Sequence, residues 1–286
     1  MKIVIINLKK SKKRFQKISN NLNELGISFE RFDAIYGKEM SKDDIKNNTT
    51  FLGRNLFCNH GMIGCAMSHL TVWKNFKESR DKFILISEDD VEYKKDFLIF
   101  LNNIEKIYNE THFDFLSLND SVGVYNSFHK SIIVDKYELS KPIFPFTMAS
   151  YVLSRKGVFK LLRMINKINY HIDFEIAFKK MFSDDLEYYY LKEPKILEVS
   201  YTTDSNIISD NNGFFNYLLE LLRLKKINWL ISNTVFTLFL KKSVSIYCCI
   251  IVLLIVFCIL KKNYLLLIIL LVEFFLINFL FFYFFK

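Results

Sequence analysis

Proline and glycine are scarce in this chain, three and eight among 286 residues, which excludes a loop-rich secreted scaffold. The opposite extreme is excluded too, because thirty Phe and fifteen Tyr carry far more apolar surface than an unfolded chain keeps in water. None of the eight glycines falls in a Gly-rich phosphate loop, which argues against P-loop nucleotidyl or phosphoryl transfer. Five cysteines show no CxxC metal spacing; Cys248, Cys249 and Cys258 lie in an apolar tail, leaving Cys58 and Cys65 elsewhere. Reduced thiols in a cytoplasmic compartment are the expectation. A secretory apolar region is also missing from the start: Ile3 to Leu8 is short and leads into a basic helix, so it reads as a strand.

Acids are absent from the first stretch, where Lys2, Lys9, Lys10, Lys12, Lys13, Arg14 and Lys17 precede Glu24, and the whole chain carries a formal charge of +9. Such a balance suits phosphate-bearing substrates or an anionic membrane surface. The apolar tail favours the membrane and an acidic turn favours a nucleotide, so nucleic acid is not an expected partner. Composition divides the chain. Residues 1–212 read as one domain large enough to bury a core. Residues 213–242, with Arg223, Lys225 and Lys226 among Leu and Phe, read as an amphipathic membrane-interface helix. Residues 243–286 read as two apolar transmembrane segments, about 243–260 and 264–285, parted by Lys261-Lys262-Asn263. Neither has a polar face for water, which argues against a buried core hairpin, and membrane lipids become expected partners. Glu273, inside the second segment, should face protein or the interface.

Within residues 1–212 the apolar pattern alternates between strand and helix. Lys2 to Leu8 is a continuous β-branched run, as in a strand covered on both faces. Ser11 stands as an N-cap before helical spacing at Phe15, Ile18, Leu22 and Leu25, and Gly26 ends that helix. Ile27 to Ala34 reads as a second strand, which makes a β-α-β unit with a right-handed crossover and a parallel sheet. Residues 37–59 read as a loop with a short helix around Ser41 to Asn47. Gly61 to Trp73 reads as a helix opened by small residues, Phe83 to Ser87 as a buried strand, and residues 95–109 as a helix. Residues 114–118 and 149–153 read as strands, the latter leading into a helix over 157–165.

Chemistry concentrates where the strand Phe83–Ser87 ends, at Glu88-Asp89-Asp90. Three adjacent carboxylates repel unless a cation neutralises them. Ligands of open α/β sheets bind beyond the carboxyl ends of strands, and hard divalent ions bridge carboxylates to phosphates. The turn is therefore placed to hold a metal–diphosphate; the plain alternative is a solvated acidic turn capping the next helix. Gly64-Cys65-Ala66-Met67-Ser68-His69 is the second feature. Small residues there let the helix approach a backbone or a phosphate, and Ser68 and His69 are candidate ligand contacts, although a Ser-His pair on a helix is more often satisfied within the fold.

These blocks, Ile6-Asn7-Leu8 with Ser11 and Arg14, Ile63 to Trp73, Ile86 to Val91 and Ser150 to Ser154 with Gly157, together resemble the family 25 glycosyltransferases of lipooligosaccharide biosynthesis, over roughly residues 1–205. The chain departs from the family at Ala149 and Ser150, where a glycine is usual, and in its membrane tail. The resemblance implies a GT-A-like, Rossmann-type nucleotide-diphospho-sugar transferase domain of α/β class, here with C-terminal membrane helices. It implies an inverting transfer of a hexose, galactose foremost, from a UDP-sugar to a lipooligosaccharide or other lipid-linked glycan. It also implies a divalent cofactor, manganese or magnesium, at Asp90 and Glu88, and nucleotide-sugar contacts from Asn7, Arg14, Ser68, His69, Glu88 and Asp89. A carboxylate outside the metal cluster must take the acceptor proton. Asp173 is the first candidate, with Glu175 and Asp120 behind it; Asp173 reads equally as a helix N-cap, and His171 is a further candidate metal ligand. With the tail, this implies a catalytic domain on the cytoplasmic face of a bacterial inner membrane. A non-catalytic membrane scaffold is the rival reading, and the intact acidic turn argues against it.

Overall fold

The structure, a computed structural model, describes residues 1–118, 124–125, 131–144, 148–182, 185–199, 234–238 and 242–245. Its first elements follow the local sequence closely. Strand β1 (Lys2–Asn7) leads into helix α1 (Lys12–Glu24) and strand β2 (Glu30–Asp33). Ser11 holds the N-cap position of α1 without using its side chain; its carbonyl accepts from the Phe15 amide instead. Gly26 closes the helix at φ 68°, a left-handed turn in which its amide reaches Asn23 and that of Ile27 reaches Leu22. β1 pairs in parallel with β2, giving the expected β-α-β unit.

Helix α2 (Lys42–Asn48) and a π-helical turn, Gly53–Phe57, precede helix α3 (His60–Lys77), which the Asn59 side chain caps through the Met62 amide. Strand β3 (Phe83–Glu88) ends in the acidic turn, and the short strand β4 (Val91–Tyr93) follows it. The acidic turn therefore caps no helix. Next come helices α4 (Phe97–Asn102) and α5 (Ile104–Thr111), broken at Asn103 where the sequence suggested one helix, and strand β5 (Phe115–Ser117). Strands β6 (Val124–Tyr125), β7 (Ile132–Val134), β8 (Tyr137–Ser140), β9 (Pro142–Phe144) and β10 (Ser150–Ser154) follow. Helix α6 (Arg155–Met164), capped by Ser154, helix α7 (Ile172–Phe182) and strands β11 (Tyr188–Glu193) and β12 (Leu197–Val199) complete this part.

Eight strands form one sheet in the order β2-β1-β3-β10-β5-β11-β8-β7. The sheet is mixed rather than wholly parallel, because β10 enters antiparallel between β3 and β5. Alternation along β1 and β3 divides the core. Ile3, Ile5 and Leu85 pack with Ile18 and Leu22 of α1 and with α4 and α5 on one face. Val4, Ile6, Ile84 and Ile86 pack with Trp73 and Phe76 of α3 and with α6 and α7 on the other. Cover on both faces is the reason these strands read as unbroken apolar runs.

The chain separates into two compact units, Met1–Gly213 and Phe214–Lys286. Of the second, strands β13 (Thr234–Leu238) and β14 (Lys242–Ser245) are described, paired antiparallel. They fall at the end of the expected interface segment and the start of the first expected span, where these residues are extended. Thr-Val-Phe-Thr and Ser-Val-Ser are rich in β-branched residues, which fit a pleated strand better than a helix turn. Among the described residues no helix is long and apolar enough to cross a membrane. The remaining residues of both expected spans, Glu273 among them, lie outside the described residues.

Candidate active site

β1, β2 and β3 run in parallel and end side by side, so their carboxyl ends open onto one cleft. Its walls include Leu8, Lys10 and Arg14 after β1, Ala34 to Lys38 after β2, Cys65, Ser68 and His69 of α3, and Glu88, Asp89 and Asp90 after β3. Two glycines set one wall. A Cβ on Gly64 would lie 2.5 Å from the Ile35 carbonyl oxygen, and one on Gly37 would lie 1.7 Å from that of His60. The close approach expected of Gly64 is thus to the backbone after β2.

The acidic turn carries its own cation. Arg14 pairs with Asp89 and, at 3.3 Å, with Asp90. Asn7 donates to Asp89 at 2.5 Å and to the Ser11 carbonyl at 3.1 Å, while its carbonyl accepts from Arg31 at 2.8 Å. Asn7 and Asp89 are buried, so both are spent on fixing the turn against the start of α1. Glu88 and Asp90 remain toward the cleft. Burial pushes the Asp89 carboxyl up against the pull of Arg14 and Asn7. Burial and then the charge of Glu88 push Asp90 further, to about 7. Asp90 Oδ1 is buried with no hydrogen-bond partner. A hard divalent cation fits this arrangement: it needs carboxylate oxygens, and the turn leaves one orphaned in a crowd of negative charge.

His69 is fully buried and belongs to a relay across the sheet. Trp73 Nε1 donates to the Tyr151 hydroxyl at 3.0 Å, and that hydroxyl meets His69 Nδ1 at 2.8 Å. Trp73 can only donate, so the Tyr151 hydroxyl accepts from it, and the other ring nitrogen of His69, Nε2, stands 3.4 Å from Glu88 Oε1. The relay orients Glu88. Ser68 is fixed in the fold: its hydroxyl donates to the Gly64 carbonyl at 2.7 Å and accepts from the Ile35 amide at 2.8 Å.

Asp173 sits in the first turn of α7, one residue inside the helix, and pairs with His171 at 3.2 Å. Its charge disfavours the ionised forms of Cys65, Tyr151 and Tyr188, but Asp173 is not itself among the residues that line the cleft. Burial alone would lower His171, but the charge and hydrogen bond of Asp173, with Glu88 adding, hold it above its ordinary value. Glu175 is buried and accepts from the Asn169 and Tyr170 amides at 2.5 and 3.1 Å, which anchors the chain entering α7. Asp120 lies outside the described residues. Lys10, Tyr36 and Lys38 line the cleft without having been singled out from sequence, and Lys10 Nζ lies 3.8 Å from the centre of the Tyr36 ring. Their position just past the carboxyl ends of β1 and β2 was the available signal.

Residues 1–176 match the sequence profile of Glycosyltransferase family 25 (LPS biosynthesis protein). A "Glycosyltransferase 25 family member" of Drosophila pseudoobscura pseudoobscura is 29% identical over 173 residues, covering 56% of this chain and 26% of that one. A "Procollagen galactosyltransferase 1-B" of Xenopus laevis is 29% identical over 101 residues, covering 32% of this chain and 16% of that one. The chain thus spans about a quarter or less of the length of these two animal relatives. Among solved structures, the S. aureus TarS 1-349 complex with UDP-GlcNAc aligns at a TM-score of 0.41 and 13% identity, over 73% of this chain and 61% of that one. With the profile spanning residues 1–176, from β1 through the acidic turn into α7, the chain belongs to glycosyltransferase family 25.

Proposed function

We propose that this chain moves a hexose, galactose foremost, from a UDP-sugar to a hydroxyl of a lipid-linked glycan, with inversion at the anomeric carbon. The observation that carries the reading is the pair Glu88 and Asp90 at the carboxyl end of β3, facing the cleft, with Asp90 Oδ1 buried and unpartnered. Family membership supports glycosyl transfer, and the name of the Xenopus relative supports galactose. The family description points to a lipopolysaccharide-type acceptor, for which a bacterial inner membrane with the cleft on its cytoplasmic side is the fitting location.

Glu88 and Asp90 would hold a divalent cation, manganese or magnesium, which offsets the charge that grows on a departing diphosphate. Arg14, Lys10 and Lys38 add positive charge along the same cleft, where a diphosphate needs it. The Tyr36 ring, with Lys10 over one face, offers a flat wall for a base. Asn7 and Asp89 keep Arg14 and the turn in register. Asp173 takes the acceptor proton in this reading, with His171 holding its carboxylate in place. The relay from Trp73 through Tyr151 and His69 keeps Glu88 aimed at the cleft.

A UDP-release assay across UDP-galactose, UDP-glucose and UDP-N-acetylglucosamine, with and without manganese, tests the reading. One donor should dominate, and Asp90→Ala should lower its turnover at least about 100-fold, the scale on which electrostatic stabilisation acts. UDP release that ignores manganese would remove the metal role, and Asp173→Asn at full rate would remove the base.

A further inference from the structure

Cys65 and His69 stand four residues apart on α3, so their side chains share the helix face that borders the cleft. The end of β3 brings Glu88 to the same spot. One ligand atom from each of the three lies within 4.8 Å of the others. Cys65 Sγ is 3.9 Å from Glu88 Oε1, and His69 Nε2 is 3.4 Å from the same oxygen. Around a tetrahedral zinc, with its usual bond lengths, a sulfur–oxygen edge spans about 3.6 Å and a nitrogen–oxygen edge about 3.4 Å. The two edges that meet at Glu88 are therefore already near those of such a shell, and the Cys65–His69 edge lies within 4.8 Å.

We propose that Cys65, His69 and Glu88 form a binding site for a thiophilic divalent cation of the zinc class, separate in chemistry from the oxygen site at Glu88 and Asp90. Thiolate and imidazole select a borderline-soft ion over magnesium or manganese. The outer nitrogen of the imidazole, Nδ1, is already held by the Tyr151 hydroxyl, the kind of support that metal-bound histidines use. When the cation binds, the Cys65 thiol loses its proton to solvent, and His69 binds through Nε2 as the tautomer that carries its single hydrogen on Nδ1, facing the Tyr151 hydroxyl. A fourth position opens on the cleft, because Cys65 and Glu88 line it. Both sites need Glu88, so a thiophilic cation displaces the cation that supports transfer. Binding stands on the geometry alone; inhibition rests on the transferase reading.

Cobalt(II) titrated into the full chain is the direct test, since a thiolate bound to cobalt absorbs in the near ultraviolet. The band should appear in the wild-type chain and in Asp90→Asn, vanish in Cys65→Ser, and need at least about tenfold more cobalt in His69→Gln. No band in the wild type, or a band that survives Cys65→Ser, overturns the proposal. Alkylation mapping on the wild-type chain needs no variant to fold: zinc, and not magnesium, should protect Cys65 from iodoacetamide, and an equal rate with both ions is a second way to overturn it. In the UDP-release assay, the half-inhibiting zinc concentration, scored against each protein's own manganese-supported rate, should rise at least about tenfold in Cys65→Ser. An unchanged zinc sensitivity overturns the inhibitory role. If no donor releases UDP while the cobalt band appears as described, the transferase reading fails and the cation site stands.

Discussion

Asp90 binds its proton more tightly than an ordinary aspartate because burial and the charge of Glu88 both disfavour its carboxylate, and Arg14 only partly compensates. An acid whose folded pKa is raised is destabilising in its charged form. Below about pH 4 the folded and unfolded chains both carry the proton, and the cost is absent; it grows between about 4 and 7 and is complete above. Asp90→Asn in a chelator-treated chain should therefore raise the melting temperature by a few degrees at pH 8 and leave it unchanged near pH 4, as scanning calorimetry would read. A gain of equal size at both pH values would mean that the charge is not the cause. Tyr151→Phe acts in the other direction. It leaves Trp73 Nε1–H and His69 Nδ1 without a partner in a buried site, an expected loss of about 1–3 kcal/mol in urea unfolding. Phe115 stacks on the Tyr151 ring at 4.6 Å and still packs against phenylalanine, so a larger loss would point to broken packing instead.

Among the elements, α3 and the segment after β2 form one wall of the cleft only because Gly64 and Gly37 let two backbones touch. Gly64→Ala would press a methyl group into the Ile35 carbonyl oxygen and the Gly37 amide, neither of which can turn away as a side chain would. The expected cost is about 2–3 kcal/mol, the upper part of the overpacking range, measured by chemical denaturation. A change below about 0.5 kcal/mol would show that the wall yields. This contact also marks where the sequence stopped being legible. β1, α1 and β3 could be read because their signals are local: an apolar run, the 3.6-residue spacing, a positive-φ glycine at position 26. The acidic turn could be read because a strand led straight into it. What Gly64 touches could not, since Ile35 and Gly37 are distant in sequence and the small side chain suits a phosphate as well as a carbonyl. For the same reason β10 read as a strand but not as an antiparallel one, and the short strands β8, which pairs with β11, and β7, the edge strand that pairs with β8, did not read at all. The partner of the acidic turn was missed in a different way. Charge counting demanded a cation and chemistry suggested a metal, whereas Arg14, one turn into α1, supplies part of the neutralisation.

At the scale of the molecule, every strand of the eight-stranded sheet and every described residue that lines the cleft falls inside the unit Met1–Gly213. The described members of both core clusters belong to it as well. Among the described residues, those that align Glu88, Asp90 and Asp173 all belong to this unit. A chain ending at Gly213 should therefore fold cooperatively and release UDP from its preferred donor within about threefold of the full chain, because the charge placement that supports leaving-group departure is intact. Take residues 214–286 to have the separate task of bringing the cleft to the lipid-linked acceptor proposed above. That division makes two rates separate under truncation. Donor hydrolysis with water should survive, whereas transfer to an acceptor embedded in vesicles should fall by at least about tenfold, since a tail with that task would raise the local concentration of the acceptor. Equal losses in both assays would place part of the site in residues 214–286. No loss in either would leave the tail without a part in presenting the acceptor.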